Sequence, residues 1–145
     1  MSDNDEDRES KSSNDDSSDV SSGSEEISFK SPALGLSPQL ISNLKLRGLT
    51  KPTDIQLQVI PKIWNERGGD LCVNAPTGSG KTLAYVLPIV EAITALHKAN
   101  KQALSKRLYT ALGCVVVVPT RELVQQVREV FDMSVRKKHL KVQCL

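Results

Sequence analysis

The spacing of apolar residues predicts two helices in the first half of the chain. Ser37 followed by Pro38 is typical of an N-cap with proline in the first turn, and Gly48 stands just past the end of that short helix. Thr53 with Gln56 three residues later fits a capping box that opens a second helix. Large aliphatic side chains at helical spacing support both predictions: Leu40, Ile41, Leu44, Ile55, Val59, Ile60 and Ile63.

Shorter apolar runs predict buried strands further along the chain. Residues 70–75 form one such run, residues 114–118 include four consecutive valines, and residues 140–145 begin a third run. A helix over residues 80–96 separates the first two, and Thr120 caps a helix between the second and the third. Alternating strands and helices predict an α/β fold with a parallel sheet and right-handed crossovers.

Charge divides the chain into two parts of opposite sign. Residues 1–26 contain ten acids, two bases and nine serines, a net charge of −8, so the +2 of the whole chain leaves +10 for residues 27–145. Such a segment cannot bury enough apolar surface to offset the entropy lost on ordering. We therefore predict a disordered acidic tail over residues 1–30, followed by one folded unit over residues 31–145.

Several classes of protein are not supported by the sequence. The N-terminus has no basic region followed by an apolar stretch, and no apolar run approaches the roughly 20 residues that span a bilayer, so we expect a soluble, intracellular protein without a membrane partner. Cys72, Cys114 and Cys144 form no Cys-x-x-Cys pair, which argues against zinc and against a disulfide partner. We expect these thiols to be reduced and buried.

A glycine-rich turn between the first predicted strand and the next helix has the chemistry of a phosphate-binding loop. Gly78 and Gly80 permit a tight loop whose N–H groups point at phosphate oxygens. Lys81 supplies charge toward the β and γ phosphates, and the Thr82 hydroxyl is a ligand for Mg²⁺, so these two residues are the catalytic candidates. The alternative is a chance glycine-rich turn. The predicted phosphate-binding residues are Ala75, Pro76, Thr77, Gly78, Ser79, Gly80, Lys81 and Thr82.

Two flanking segments extend this interpretation. The amide of Gln56 can pair with both N6 and N7 of adenine, which would select ATP, although a capping box alone explains a glutamine there. Thr120 and Arg121 stand where the second predicted strand meets its helix, so exposed N–H groups there could hold a nucleic-acid phosphate. The alternative is an ordinary helix N-cap with solvated charges.

Together the three segments resemble motifs of the DEAD-box RNA helicases of superfamily 2, in the family's order. Residues 48–56 resemble the Q motif, residues 75–82 motif I and residues 119–123 motif Ia. The resemblance covers residues 36–145 and implies a partial RecA-like P-loop domain that uses ATP and Mg²⁺. It also implies that Gln56 reads adenine. By the same resemblance, Leu49 and Thr53 would contribute to the pocket for the base. The residues that would lie along the RNA backbone are Pro119, Thr120, Arg121 and Glu122.

The resemblance also gives an expectation for the complete protein. It implies an ATP-dependent RNA helicase that separates short duplexes or remodels RNA–protein complexes. Similarity to nucleolar members that assemble the large ribosomal subunit implies pre-ribosomal partners and a nuclear, nucleolar location. The alternatives are another P-loop NTPase, such as a DNA helicase or a transport ATPase, and a truncated binding module without catalysis.

The 145 residues contain neither the Asp-Glu-Ala-Asp motif nor the Ser-Ala-Thr motif of this family. We therefore expect the isolated chain to be an inactive and association-prone fragment, because the hydrolytic carboxylates and the neighbouring strands would lie beyond Leu145. The acidic tail has two interpretations. It is either a solvating tail or a regulated segment that folds back on the basic body and competes with RNA.

Overall fold

A computed structural model describes residues 27–66, 69–102, 113–135 and 141–145. Residues 1–26, which hold most of the predicted acidic tail, lie outside these ranges, as does Leu140 at the start of the third predicted strand. Every secondary-structure element within these ranges is helical. They are a 3₁₀-helix at Pro32–Leu34 and four α-helices, namely α1 at Pro38–Leu46, α2 at Asp54–Asn65, α3 at Lys81–Gln102 and α4 at Arg121–Ser134.

The predicted helix starts are confirmed because local hydrogen bonds define them. The Ser37 hydroxyl accepts from the Leu40 N–H at 3.4 Å at the start of α1. The Gln56 side-chain oxygen accepts from the Thr53 N–H at 3.1 Å in the capping box of α2. The prediction for α3 was too short, since this helix continues to Gln102. No glycine or proline interrupts the chain between residues 96 and 102, so nothing in the local sequence ends the helix earlier.

The core lies where α3 packs against α2 and α4, while α1 packs against α4 and the 3₁₀-helix against α2. Only 2% of Phe29 is exposed, so a residue that the sequence grouped with the acidic tail belongs to the core. Burial of each large aliphatic side chain contributes about 1.5–3 kcal/mol. The core side chains are Phe29, Leu34, Leu40, Leu44, Ile60, Val86, Leu87, Val90 and Phe131.

Long-range polar contacts hold both ends of α1 to the other helices. The N–H of Ser37 donates to the Glu91 carboxylate on α3 at 2.8 Å, and the Ser37 hydroxyl donates to the same oxygen at 2.5 Å. The Asn43 amide donates to the Ser134 carbonyl at 3.1 Å and so satisfies an acceptor at the C-terminal end of α4. These contacts fix α1 relative to α3, the helix that begins at Lys81.

Trp64 joins the 3₁₀-helix to α2. Its indole N–H donates to the Leu34 carbonyl at 3.0 Å. The next residue, Gly35, has φ +59°, and a Cβ atom there would lie 3.2 Å from the indole nitrogen. A glycine is therefore required at this position both for the backbone angle and for the close approach of the ring.

The predicted parallel sheet is not present among the described residues. No backbone hydrogen bond joins residues 70–75 or 113–118 to another described segment, and residues 141–145 are also irregular. The side chains of Val115 and Val117 are 67% and 88% exposed. A run of valines indicates a pleated, buried environment rather than a local backbone preference, so it forms a strand only where partner strands and a covering layer exist.

The prediction of buried cysteines was wrong for the same reason. Cys72 and Cys114 are exposed and Cys144 is half-buried, because each lies on a segment that was expected to enter the sheet. None of the described helices combines the length and the hydropathy needed to cross a membrane.

Candidate phosphate-binding site

The glycine-rich loop runs directly into the first turn of α3. Gly78 has φ +81° and Gly80 has φ +93°, both in the left-handed region that side chains with a Cβ atom rarely adopt. The Ser79 N–H donates to the Pro76 carbonyl at 3.3 Å and closes a turn within the loop. The two glycines therefore stand at the positions where the backbone reverses before the helix.

Lys81, the first residue of α3, turns back over the loop that precedes it. Its ammonium group donates to the Ala75 carbonyl at 2.5 Å and to the Pro76 carbonyl at 2.6 Å. A cation is thus held beside the loop by two neutral acceptors rather than by a carboxylate. That arrangement leaves its positive charge uncompensated for an anionic ligand.

Gln56 connects α2 to the end of the loop. Its side chain is 2% exposed, and its amide nitrogen donates to the Gly80 carbonyl at 3.2 Å while its oxygen completes the capping box with Thr53. A Cβ atom on Gly80 would lie 2.6 Å from that amide nitrogen and 2.8 Å from the Thr53 hydroxyl. The structure thus shows the capping box and adds a contact 24 residues away that the sequence did not predict.

The Ser79 hydroxyl is buried and has no hydrogen-bond partner in the described part of the chain. An unsatisfied buried hydroxyl costs about 1–3 kcal/mol, so a ligand oxygen at this position would be stabilised by it. The loop also supplies the Lys81 ammonium group and the N–H groups at the start of α3, and none of residues 75–82 carries a carboxylate. These donors fit a triphosphate, and the Thr82 hydroxyl is an oxygen ligand of the kind that Mg²⁺ prefers.

Tyr85 is a neighbour of this site that sequence reasoning missed. Burial raises the pKa of Tyr85, and a hydrogen bond with the Thr82 side chain lowers it by less. The phenol is neutral near pH 7 and lies beside the Thr82 side chain, one helical turn away. The spacing of three residues on a helix was the available signal, because such positions face each other.

The second candidate site, residues 119–122, lies at the exposed start of α4. The Thr120 hydroxyl accepts from the Leu123 N–H at 3.3 Å. The pKa of Glu122 lies below its ordinary value because its own backbone N–H and then the Thr120 hydroxyl donate to the carboxylate, against a smaller effect of burial. Leu123, in the first turn of α4, is 36% exposed. The contacts of this turn in the described residues are local.

Leu49, the candidate for packing against the base, is half-buried beside the core. Its N–H donates to the Leu44 carbonyl at 3.0 Å, next to Gly48 with φ +74°. This is the left-handed termination that glycine provides after an α-helix. The end of α1 thus places Leu49 between the core and the segment that leads to Thr53.

A glycine-rich turn that begins a helix, with lysine and threonine in the first turn, is typical of proteins that bind nucleoside triphosphates. The family model described as "DEAD/DEAH box helicase" matches residues 53–145, which include the loop, α3 and α4. The chain belongs to this family of helicases. Membership implies a RecA-like fold, of which the described residues show the helices.

Individual relatives agree with this assignment. The chain is 40% identical over 108 residues to the ATP-dependent RNA helicase dbp6 of Schizosaccharomyces pombe, which covers 69% of this chain and 16% of the relative. It is 38% identical over 120 residues to the ATP-dependent RNA helicase DDX51 of Danio rerio, covering 74% and 17%. It is 43% identical over 100 residues to the ATP-dependent rRNA helicase RRP3 of Encephalitozoon cuniculi, covering 69% and 22%. The chain therefore spans less than a quarter of the length of these relatives.

Proposed function

We propose that the chain binds ATP and Mg²⁺ as the N-terminal part of the first RecA-like domain of an ATP-dependent RNA helicase. The observation that carries this proposal is the position of Gln56, whose amide bridges the Thr53 backbone and the Gly80 carbonyl. One buried side chain thus joins the candidate base pocket to the phosphate loop. Leu49 would complete the base side of the pocket.

Residues 78–82 of the loop would then share the binding of nucleotide and metal. The N–H groups of residues 78–82 and the Ser79 hydroxyl would bind phosphate oxygens, and Lys81 would neutralise charge on the β and γ phosphates. The Thr82 hydroxyl, with Tyr85 beside it, would hold Mg²⁺. Bound Mg²⁺ supplies charge stabilisation to the phosphates, while the protein groups fix the nucleotide in place. The 145 residues contain neither the Asp-Glu-Ala-Asp nor the Ser-Ala-Thr motif, and turnover would require the complete protein.

For that complete protein we propose ATP-dependent unwinding of RNA or remodelling of RNA–protein complexes. The names of the relatives support this, and one of them is called an rRNA helicase. A role in ribosome biogenesis, with pre-ribosomal particles as partners and a nuclear, nucleolar location, is consistent with these names. RNA would lie along Pro119, Thr120, Arg121 and Glu122, which are exposed at the start of α4.

We also propose that the parallel sheet forms in the complete domain. Residues 70–75, 114–118 and 140–145 would be its strands, and the acidic tail would precede the folded unit. The exposed apolar side chains Leu71, Val115 and Val117 support this, because large exposed aliphatic groups are typical of a surface that another layer covers.

The affinity for nucleotide tests the first proposal directly. Calorimetric titration of the chain with ATP or with GTP, each in the presence of Mg²⁺, should show a higher affinity for ATP. Lys81→Ala removes the cation at the phosphates and should weaken ATP binding by about 10- to 100-fold. Gln56→Ala should remove the preference for ATP, while Gln58→Ala, at an exposed position of α2, serves as the matched control. Equal affinity of all variants for ATP and GTP would refute the assignment.

The RNA proposal is tested on the complete protein. Arg121→Ala should weaken RNA binding and reduce by about 1 the slope of log affinity against log salt. Arg128→Ala is the control, because Arg128 lies on the same helix but contacts Asp132 at 3.6 Å. Hydrolysis stimulated more by DNA than by RNA would favour a different class of P-loop NTPase. RNA-stimulated hydrolysis by the 145-residue chain alone would contradict our assignment of turnover to the complete protein.

A further inference from the structure

A groove of about 460 Å³ opens along the outer side of α1. Its lining is mostly apolar and includes two lysines. No group of the candidate nucleotide site contributes to it. The residues that line it are Lys30, Leu36, Pro38, Ile41, Ser42 and Lys45.

The charges of this groove are uncompensated within the described residues. Lys30 and Lys45 are exposed, and neither ammonium group has an ion-pair partner among those residues. A mostly apolar lining with two cations fits a peptide that carries an aliphatic side chain flanked by carboxylates. A nucleic acid fits less well, because no aromatic ring lines the groove to stack on a base and only two cations face the ligand.

The chain contains a segment with this composition close to the groove. Val20 is the only large aliphatic residue of residues 1–26 apart from Met1, and Asp15, Asp16 and Asp19 precede it. The segment joins the described chain at Ile27, three residues before Lys30. Fully extended, the seven steps from Val20 to Ile27 span about 23 Å, which exceeds the roughly 14 Å length of α1. The segment can therefore reach any part of the groove.

We propose that residues 15–20 of this chain bind the groove along α1. Val20 covers the apolar lining, and the carboxylates of Asp16 and Asp19 pair with Lys30 and Lys45. The proposal requires local apolar contact as well as attraction between the acidic tail and the basic body. Those two contributions respond in opposite directions to one substitution, Val20→Asp, which removes the apolar group and adds a negative charge.

Carbodiimide cross-linking of the full 145-residue chain at low salt tests the proposal. Each link is an amide formed from a carboxylate and a lysine ammonium group, while the carbodiimide takes up the lost water and becomes its urea. We expect links from Asp16 and Asp19 to Lys45 to exceed links to Lys62, an exposed lysine on α2. Val20→Asp should reduce the Lys45 links about fivefold, because the apolar contact is lost.

An increase of the Lys45 links in Val20→Asp would show attraction by charge alone and would overturn the proposal. Links to Lys45 and Lys62 in equal yield would do the same. Cross-linking an equal mixture of ¹⁴N- and ¹⁵N-labelled chains shows whether the bound tail comes from the same chain or from a second one. Links within one chain support the proposal, and links between chains refute it. An RNA oligonucleotide could instead occupy the groove. In that case, adding the oligonucleotide to the Val20→Asp chain would protect Lys30 and Lys45 from chemical acetylation, and this result would overturn the proposal.

Discussion

Two turns of this chain each begin a helix and each are candidates for holding phosphate, yet they are stabilised in different ways. The loop before α3 is fixed by a distant group as well as by its own residues, since Gln56 reaches Gly80 from α2 and Lys81 folds back on the Ala75 carbonyl. Among the described residues, the turn before α4 is fixed by its own neighbours, through the hydrogen bond from the Leu123 N–H to the Thr120 hydroxyl.

The difference indicates which site is formed before its ligand arrives. A loop held by a buried side chain of another helix keeps its shape at little further entropic cost on binding. A turn held by a single exposed cap keeps its helix start but leaves the surrounding side chains solvated. We therefore expect substitutions at the loop to affect stability and nucleotide affinity together, and those at the second turn to affect mainly local helix stability.

The largest expected effect comes from Gly80→Ala. The new Cβ atom would lie 2.6 Å from the Gln56 amide nitrogen, at a residue with φ +93°. Because that amide is buried and bonded at both ends, it cannot move away without losing its contacts. We expect the free energy of unfolding to fall by about 3 kcal/mol, measured by urea denaturation.

Gly78→Ala is the matched control for this substitution. Gly78 also has a positive φ, +81°, but a Cβ atom there meets nothing within 4 Å. It should carry only the backbone strain of about 1 kcal/mol. Equal destabilisation by the two substitutions would show that the contact between α2 and the loop is not rigid.

Gln56→Ala should have the next largest effect. It removes the hydrogen bond to the Gly80 carbonyl and half of the capping box. We expect a loss of about 2 kcal/mol in the free energy of unfolding, again by urea denaturation. The exposed neighbour Gln58, changed to alanine, should stay within about 0.5 kcal/mol of the parent chain. A similar small effect for Gln56→Ala would argue against preorganisation of the loop by α2.

Thr120→Ala should be milder, because only a local cap is lost. We expect the stability of α4 to fall by about 1 kcal/mol, which should appear as faster hydrogen exchange of the first amides of this helix. Thr120→Ser keeps the hydroxyl and should restore protection. A change in nucleotide affinity in either variant would contradict the separation of the two turns.

The smallest effect concerns pH. The pKa of Glu122 is lowered in the folded chain, so its contribution to stability is present above the ordinary value of 4.5 and is lost as pH falls through the lower, folded value. The contribution is small because this carboxylate is exposed. Carboxyl NMR titration should show the pKa of Glu122 rising in Thr120→Ala. It should not recover fully, because the residue's own backbone N–H is the larger cause.

Local chemistry explains which parts of this fold the sequence could predict. Ser37, Thr53 and Thr120 each mark a helix start, because an N-cap needs only groups within three residues. Gly78 and Gly80 likewise stand at positive φ, as the loop required. Such features are decided within a few residues, so a single sequence is enough to locate them.

The remaining features depend on distant partners. Four consecutive valines were interpreted as a buried strand, but Val117 is 88% exposed because no strand or layer among the described residues covers it. Gln56 was open to two interpretations, and only the folded chain shows its two ends bonded to different groups. The contact of Ser37 with Glu91 joins residues 54 apart, a separation that no local pattern reports.

The chain has one tryptophan, and its position makes it a built-in fluorophore for half of the molecule. The Trp64 indole is bonded to the Leu34 carbonyl and lies against Gly35, so its emission reports docking of the 3₁₀-helix onto α2. None of its described contacts involves the phosphate loop. Trp64 emission therefore reports the docking of the 3₁₀-helix onto α2 independently of nucleotide binding. If denaturant reduces Trp64 emission and nucleotide binding at different concentrations, the 3₁₀-helix and the phosphate loop open separately.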